Sequence, residues 1–175
     1  MTEDQIRTKL ADWIARVTGK TVIFAHEDGK RPALPYLMLN KTGSRAVRDH
    51  EQTIDFDPPY PDEPVDTSTE YPPVTASPVI EREWAFSLHA YAAEQPSNIL
   101  RPLDSARRLE QMLEPEYPSL IVFDMSRIRE VPEYVNEAWE PRANVDIFLR
   151  GLTRDGFVID VINAIEPVEV GINRG

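Results

Sequence analysis

The chain contains no cysteine, which excludes disulfide frameworks, thiolate nucleophiles and cysteine-ligated zinc. Histidine is nearly as scarce. His26, His50 and His89 stand far apart and form neither a His-x-x-x-His nor a His-Glu-x-x-His pattern, so they are expected as surface or internally satisfied side chains. Seven glycines are scattered along 175 residues, without a P-loop, a dinucleotide fingerprint or a Gly-x-Ser-x-Gly elbow. No run approaches the roughly 18 apolar residues of a membrane span. Positive charge is in deficit: 19 Lys and Arg face 30 Asp and Glu, for a net charge of -11. A surface that grips nucleic acid needs clustered cations, so that class is excluded. A negative wall is nevertheless compatible with DNA sliding past without sticking. So acidic a chain supplies carboxylate pairs everywhere and singles out none for acid–base work. No catalytic, cofactor-binding or metal-ligating residue emerges, no cofactor is implied, and no enzyme activity is expected.

What is present is globular: 41% hydrophobic and 28% charged residues, in a length that suits one domain with a real core. The opening Thr2-Glu-Asp-Gln5 is polar and acidic, unlike a secretion signal, so assembly in a reducing cytoplasm is expected.

Hydrophobic spacing sets out the elements. Ile6, Leu10, Trp13, Ile14 and Val17 recur at helical steps, predicting a helix over 3–18 with Thr2 as N-cap and Gly19 as C-cap. Strands are expected at 21–25 and 36–40, the second running on toward Val47, with a turn at Asp28-Gly29 between them. Residues 81–91 alternate Trp84, Phe86, Leu88 and Ala90 against a mixed face. A helix over 97–114 is expected to line Leu103, Ala106, Leu109 and Leu113 on one face. Strands follow at 120–123 and about 128–131. In 139–150, Ala143, Val145, Ile147 and Leu149 oppose Arg142, Asn144, Asp146, Phe148 and Arg150, the period of an antiparallel strand that reads as a structural edge. Thr153–Gly156 is expected as a hairpin turn, with 157–165 returning as partner and 168–170 extending it. Strands in runs rather than in strict alternation with helices indicate α+β: a mixed, mostly antiparallel sheet with two helices packed on one face.

Residues 49–80 differ from the rest. Prolines 58, 59, 61, 64, 72, 73 and 78 sit among eight acids with no Lys or Arg. The expectation is a single domain over 1–175 with 49–80 as a long acidic, proline-rich loop. Two readings stand: a solvated connection, or an extended arm that orders on a neighbouring chain through Phe56, Tyr60 and Tyr71. Arg142 and Arg150 are further candidate interface residues; Arg142 either pairs with a carboxylate across the interface or braces the turn within its own chain, as arginines beside turns often do.

The order of these pieces carries a resemblance. Arg31-Pro-x-Leu-Pro-Tyr36 leads into a strand, Arg82–Tyr91 is an aromatic-alternating strand, Trp139-Glu-Pro-Arg-Ala143 leads into Val145-Asp146, and Ile165-Glu-Pro-Val168 closes the chain. Across about 6–170 this resembles the tailed-bacteriophage neck or tail terminator family, also called tail completion proteins. Trp139 stands where that pattern has tyrosine, Ala92-Ala93 where it has glycine, and 49–80 is longer than its core needs. The resemblance implies a structural virion protein of the tail and neck, assembled in the host cytoplasm. It implies a homohexameric ring on the head-proximal end of the tail tube that stops tube polymerisation. Its implied partners are the tail tube protein and the head-connector (adaptor or stopper) proteins, with genomic DNA passing through the lumen unread and no membrane involved. A head–tail joining subunit and a small ligand-binding or enzymatic domain are the alternatives. A terminator regulates tube length, a joining subunit does not, and an enzyme needs a deep polar pocket.

Overall fold

The computed structural model describes residues 2–27, 31–57, 74–109, 113, 120–135 and 137–159. Helix α1 (Glu3–Thr18) is set by its ends. The Thr2 hydroxyl accepts from the Gln5 amide at 3.3 Å while the Gln5 side chain accepts from the Thr2 amide at 2.8 Å, a capping box. Gly19, at φ 63°, donates its amide to the Ala15 carbonyl at 2.8 Å and turns the chain out of the helix. The inward stripe is Ile6, Leu10, Ala11, Trp13 and Ile14. Helix α2 (Ser97–Leu109) buries Leu100 and Leu103, and its expected continuation to 114 falls largely outside the described residues. Leu109 is not on the inner face but almost fully exposed. At 3.6 residues per turn, six residues from Leu103 is about two-thirds of the way round the helix, away from the buried stripe.

The main sheet runs in the order β1 (Thr21–Phe24), β2 (Tyr36–Ala46), β4 (Val74–Tyr91), β9 (Arg142–Arg154), β5 (Leu120–Met125). β1 and β2 are parallel and the remaining pairs antiparallel. β3 (Thr53–Asp57) and β10 (Phe157–Ile159) pair the first part of β4, and β6 (Arg129–Glu130) pairs the start of β9. A separate hairpin joins β7 (Glu133–Val135) to β8 (Ala138–Glu140). Leu37 and Leu39 of β2, the Trp84–Ala90 stripe of β4, Leu120 and Val122 of β5, and Ala143, Val145, Ile147 and Leu149 of β9 form one core with both helices. Both helices therefore lie on one face, and the architecture is α+β as the element order indicates.

Three expectations change. β9 is a central strand, not an edge, because its backbone pairs with β4 on one side and with β5 and β6 on the other. Thr153–Gly156 is no hairpin turn. Arg154 opposes Val79 and Phe157 opposes Ala76, so β10 continues along β4 in the register of β9. The ladder pauses opposite Ser77-Pro78, where proline has no amide hydrogen to donate. Gly156 is needed for close approach: a Cβ there would stand 3.0 Å from Thr75 Cγ2 and 3.1 Å from Ser77 Oγ. Finally, 49–80 is not loop throughout, since 53–57 pairs with 75–79. Apart from Pro78, those positions keep free amides and alternate in side-chain direction, and the other prolines of the stretch lie between them in sequence. The turn at 28–29, the extension at 168–170 and the rest of the proline cluster fall outside the described residues.

Candidate functional site

β4 is 18 residues long, which at strand rise is about 60 Å. Its second half lies under the helices. Its first half, from Val74 to about Glu83, runs out between β3 and β10 as a three-stranded ribbon. Side chains directly opposite across a ladder share a face. Phe56 and Phe157 both oppose Ala76, and Ile54 opposes Pro78. Even-numbered β4 positions include Trp84, Phe86 and Leu88 of the core, so this ribbon face continues the helix-bearing face. Among the described residues no helix reaches it: Ile54 is 40%, Phe56 59% and Phe157 62% exposed. Small Ala76 lies between the two phenylalanines and leaves them standing as a pair of rims.

Ion pairs hold the ribbon flat across its other face. Arg154 Nε meets Asp55 Oδ2 at 3.0 Å across β4. At the ribbon's root, Glu83 is buried and takes Arg45 at 3.0 Å on one oxygen and Arg150 at 3.3 Å on the other. Arg150 also lies 3.9 Å above the Phe123 ring, a cation over its negative face. Arg142 pairs with Glu133 at 2.7 Å and lies 5.7 Å from the Tyr91 ring centre. Both arginines thus brace their own chain, Arg150 at the ribbon root and Arg142 at the far end of the sheet. Of the other expected anchors, Phe56 stands on the ribbon, while Tyr60 and Tyr71 fall outside the described residues. Sequence reading missed Ile54 and Phe157. The signal was the alternation in Thr53-Ile-Asp-Phe-Asp57, masked by the surrounding prolines.

A second apolar surface lies at the opposite end of β4. Tyr134 and Trp139 stack edge to face at 5.3 Å on the β7–β8 hairpin, 60% and 68% exposed. Beside them a hollow of about 300 Å³ is lined by Leu34, Ala92, Val135, Ala138, Trp139 and Pro141, with Arg31 at its rim paired to Glu140 at 3.2 Å. Tyr36 and Tyr91 stack at 4.8 Å beneath this end.

Between the two ends, the helix-free face carries a directed polar chain. Arg129 Nε donates to Asn144 Oδ1 at 3.0 Å, Asn144 Nδ2 donates to Ser87 Oγ at 3.0 Å, and Ser87 Oγ lies 3.3 Å from His89 Nε2. The direction of the Ser87–His89 contact follows the tautomer of His89. Burial first, and Arg142 second, push His89 below the ordinary histidine range. His89 Nδ1 is buried and makes no hydrogen bond, so Ser87 and His89 lack the orienting carboxylate of a nucleophilic triad. Among the described residues, no cluster of three or more His, Asp or Glu is placed to hold a metal ion. No described helix is long and apolar enough to cross a membrane.

The described sheet is thus covered by helices on one face, with an exposed apolar ribbon at one end and an aromatic hollow at the other. The chain belongs to the phage neck terminator protein family, whose match runs over residues 4–175. It is therefore a structural protein of the phage neck, located in the virion. No curated protein matches the chain.

Proposed function

We propose that this chain forms a ring, sixfold in the simplest case, on the head-proximal end of the tail tube. The ring stops tube growth and presents its outer face to the head-connector adaptor or stopper proteins. Genomic DNA crosses the lumen without base-specific contact. A closed ring requires each subunit to offer two different patches, because a self-complementary patch closes at a dimer. The observation that carries the reading is the β3–β4–β10 ribbon, on which Ile54, Phe56 and Phe157 form an exposed apolar surface that no described helix covers. The acidic balance agrees with a lumen that repels phosphate.

The test is electron microscopy of the cognate tail tube protein polymerised with and without this chain. Shorter tubes with a sixfold density on one end are the expected result. Tubes of unchanged length with bare ends overturn it and place the chain on the connector side of the neck.

A further inference from the structure

The β7–β8 hairpin has two unlike faces. Glu133 opposes Glu140, Tyr134 opposes Trp139 and Val135 opposes Ala138. Side chains alternate along a strand and opposed ones share a face, so Tyr134 and Trp139 stand together on one side and the other four on the opposite side. Two carboxylates directly opposed repel, and each is neutralised by an arginine from the body. Glu133 pairs with Arg142 at 2.7 Å and Glu140 with Arg31 at 3.2 Å. Both arginines lie beside the Tyr91 ring, at 5.7 and 5.8 Å from its centre. The hairpin is therefore clamped to its own chain by its acidic face, and its aromatic face is the one displayed.

Charge around the displayed rings is one-sided. Residues 129–142 hold Glu130, Glu133, Glu137 and Glu140 against Arg129 and Arg142. The nearby cations are spent: Arg129 on Asp146 at 2.7 Å, Arg142 on Glu133 and Arg31 on Glu140. Glu130, before the hairpin, and Glu137, at its turn, are exposed and have no ion-pair partner among the described residues. The unspent charge is thus negative, and the faces of aromatic rings carry negative potential of their own. A guanidinium or ammonium group gains on such a surface twice, over the rings and beside the carboxylates, while its aliphatic stem lies on apolar side chains. A second copy is a poor source of that group. It brings a net charge of -11, and ten of its described Lys and Arg are already in ion pairs.

We propose that the Tyr134–Trp139 face of the hairpin, with Glu130 and Glu137, receives a cationic segment of a different protein of the neck or tail. Arginine is preferred over lysine, because its planar head stacks on a ring and still pairs with a carboxylate. The inference goes beyond the terminator reading. It rests on the chain's place in the neck and not on its capping a tube. Arg31 and Arg142 take part indirectly, by holding the hairpin with its rings outward.

The chain carries its own reporter. Of its three tryptophans, Trp13 and Trp84 are 3% and 2% exposed, so Trp139 alone faces solvent. The full chain, labelled with 5-fluorotryptophan, is observed by fluorine NMR, and Trp139→Phe assigns the resonance. The probes are an arginine–glycine repeat peptide, its citrulline twin, and the unlabelled cognate tail tube and head-connector proteins, each added separately. The expected result is that the arginine peptide and one of these proteins move the Trp139 resonance, while Trp13 and Trp84 stay in place and the citrulline peptide moves nothing. Tyr134→Ala and, separately, E130Q/E137Q should each weaken the peptide by about fivefold, with circular dichroism confirming that both are folded. Equal response to citrulline signifies an apolar contact and overturns the proposal. Movement of Trp139 with concentration of the chain alone signifies a second copy and overturns it too. Unchanged peptide affinity in both variants assigns binding to acids elsewhere, with the same consequence. Capped tubes with Trp139 unmoved by every partner protein overturn this surface while the terminator reading stands. Trp139 moved by a connector protein, with tubes uncapped, upholds the surface while that reading falls.

Discussion

The two halves of β4 obey the same alternation, yet one is core and the other is surface. From Trp84 to Ala90 the inward side chains are 0–2% exposed, because α1 and α2 lie across them. From Val74 to Pro78 the same face meets no helix, and its flanking phenylalanines are more than half exposed. Strand pattern specifies which residues share a face. It does not specify whether the layer that covers them comes from the same chain. An uncovered apolar stripe that continues a covered one is how a fold prepares a contact with something else. Glu83 marks the boundary, buried and holding one arginine from each neighbouring strand.

Substituting one phenylalanine from each half separates the two roles most sharply. Phe86→Ala removes a ring from the packed core and is expected to cost about 3–5 kcal/mol, enough to leave little folded protein. Phe56→Ala removes a ring that is more than half exposed and is expected to leave stability within about 0.5 kcal/mol of the parent while abolishing tube capping. Urea titration and tube-length microscopy on both variants check the pair. A large stability loss in Phe56→Ala would mean that the ribbon belongs to the core. The next largest effect is expected at the boundary. Glu83→Gln leaves Arg45 and Arg150 without their carboxylate, and loss of these charged hydrogen bonds is expected to cost about 1.5–3 kcal/mol. Because the partners are partly exposed, the lower end applies. Faster amide exchange in β3 and β10 than in β5 would locate the damage in the ribbon.

Much of the body was legible because local chemistry there agrees with the tertiary outcome. Thr2, Gln5 and Gly19 state the limits of α1, and Ala143, Val145, Ile147 and Leu149 state the inner face of β9. The ribbon was legible only in part. Prolines lower the strand reading of 49–80, but Pro78 sits where the β9–β10 ladder pauses and the strand runs through it. Asp155-Gly156 has the composition of a turn, yet its glycine serves close packing against Ser77 in an unturned strand. The hollow was not legible, since Leu34, Ala92 and Trp139 are brought together by three separate segments that no spacing rule connects. Arg142 and Arg150 stand out in the sequence, but sequence does not distinguish a brace from an interface contact, because both need the same guanidinium.

Gly156→Ala probes the ribbon more gently. The added methyl must displace Thr75 and Ser77 by a few tenths of an ångström, and overpacking of this size is expected to cost about 1 kcal/mol. The effect belongs to the ribbon alone. Exchange protection in 74–79 should fall while the α1 amides keep theirs, and capping should weaken without being lost. Equal loss in both regions would show that ribbon and body unfold as one unit, erasing the distinction between the halves of β4.

The smallest effect lies on the body's open face and depends on pH. His89 lies at the end of the polar chain that starts at Arg129, where burial and the nearby Arg142 disfavour its charged form. Its folded-state pKa is lowered from 6.5, by burial first and by Arg142 next. The unfolded chain therefore binds the proton before the folded one does. Stability is full above about pH 6.5, declines as pH falls below that value, and levels off once the folded-state pKa is passed. Because His89 is only about half buried, solvent screening keeps the decline small. Thermal melts between pH 7.5 and 5.5 should show it, and His89→Gln, which cannot take up the proton, should remove that part of the slope. An unchanged slope in His89→Gln would assign the dependence to the carboxylates instead. The ribbon contains no histidine among its described strands, so capping by Phe56 and Phe157 should keep its strength across this window even as the body softens.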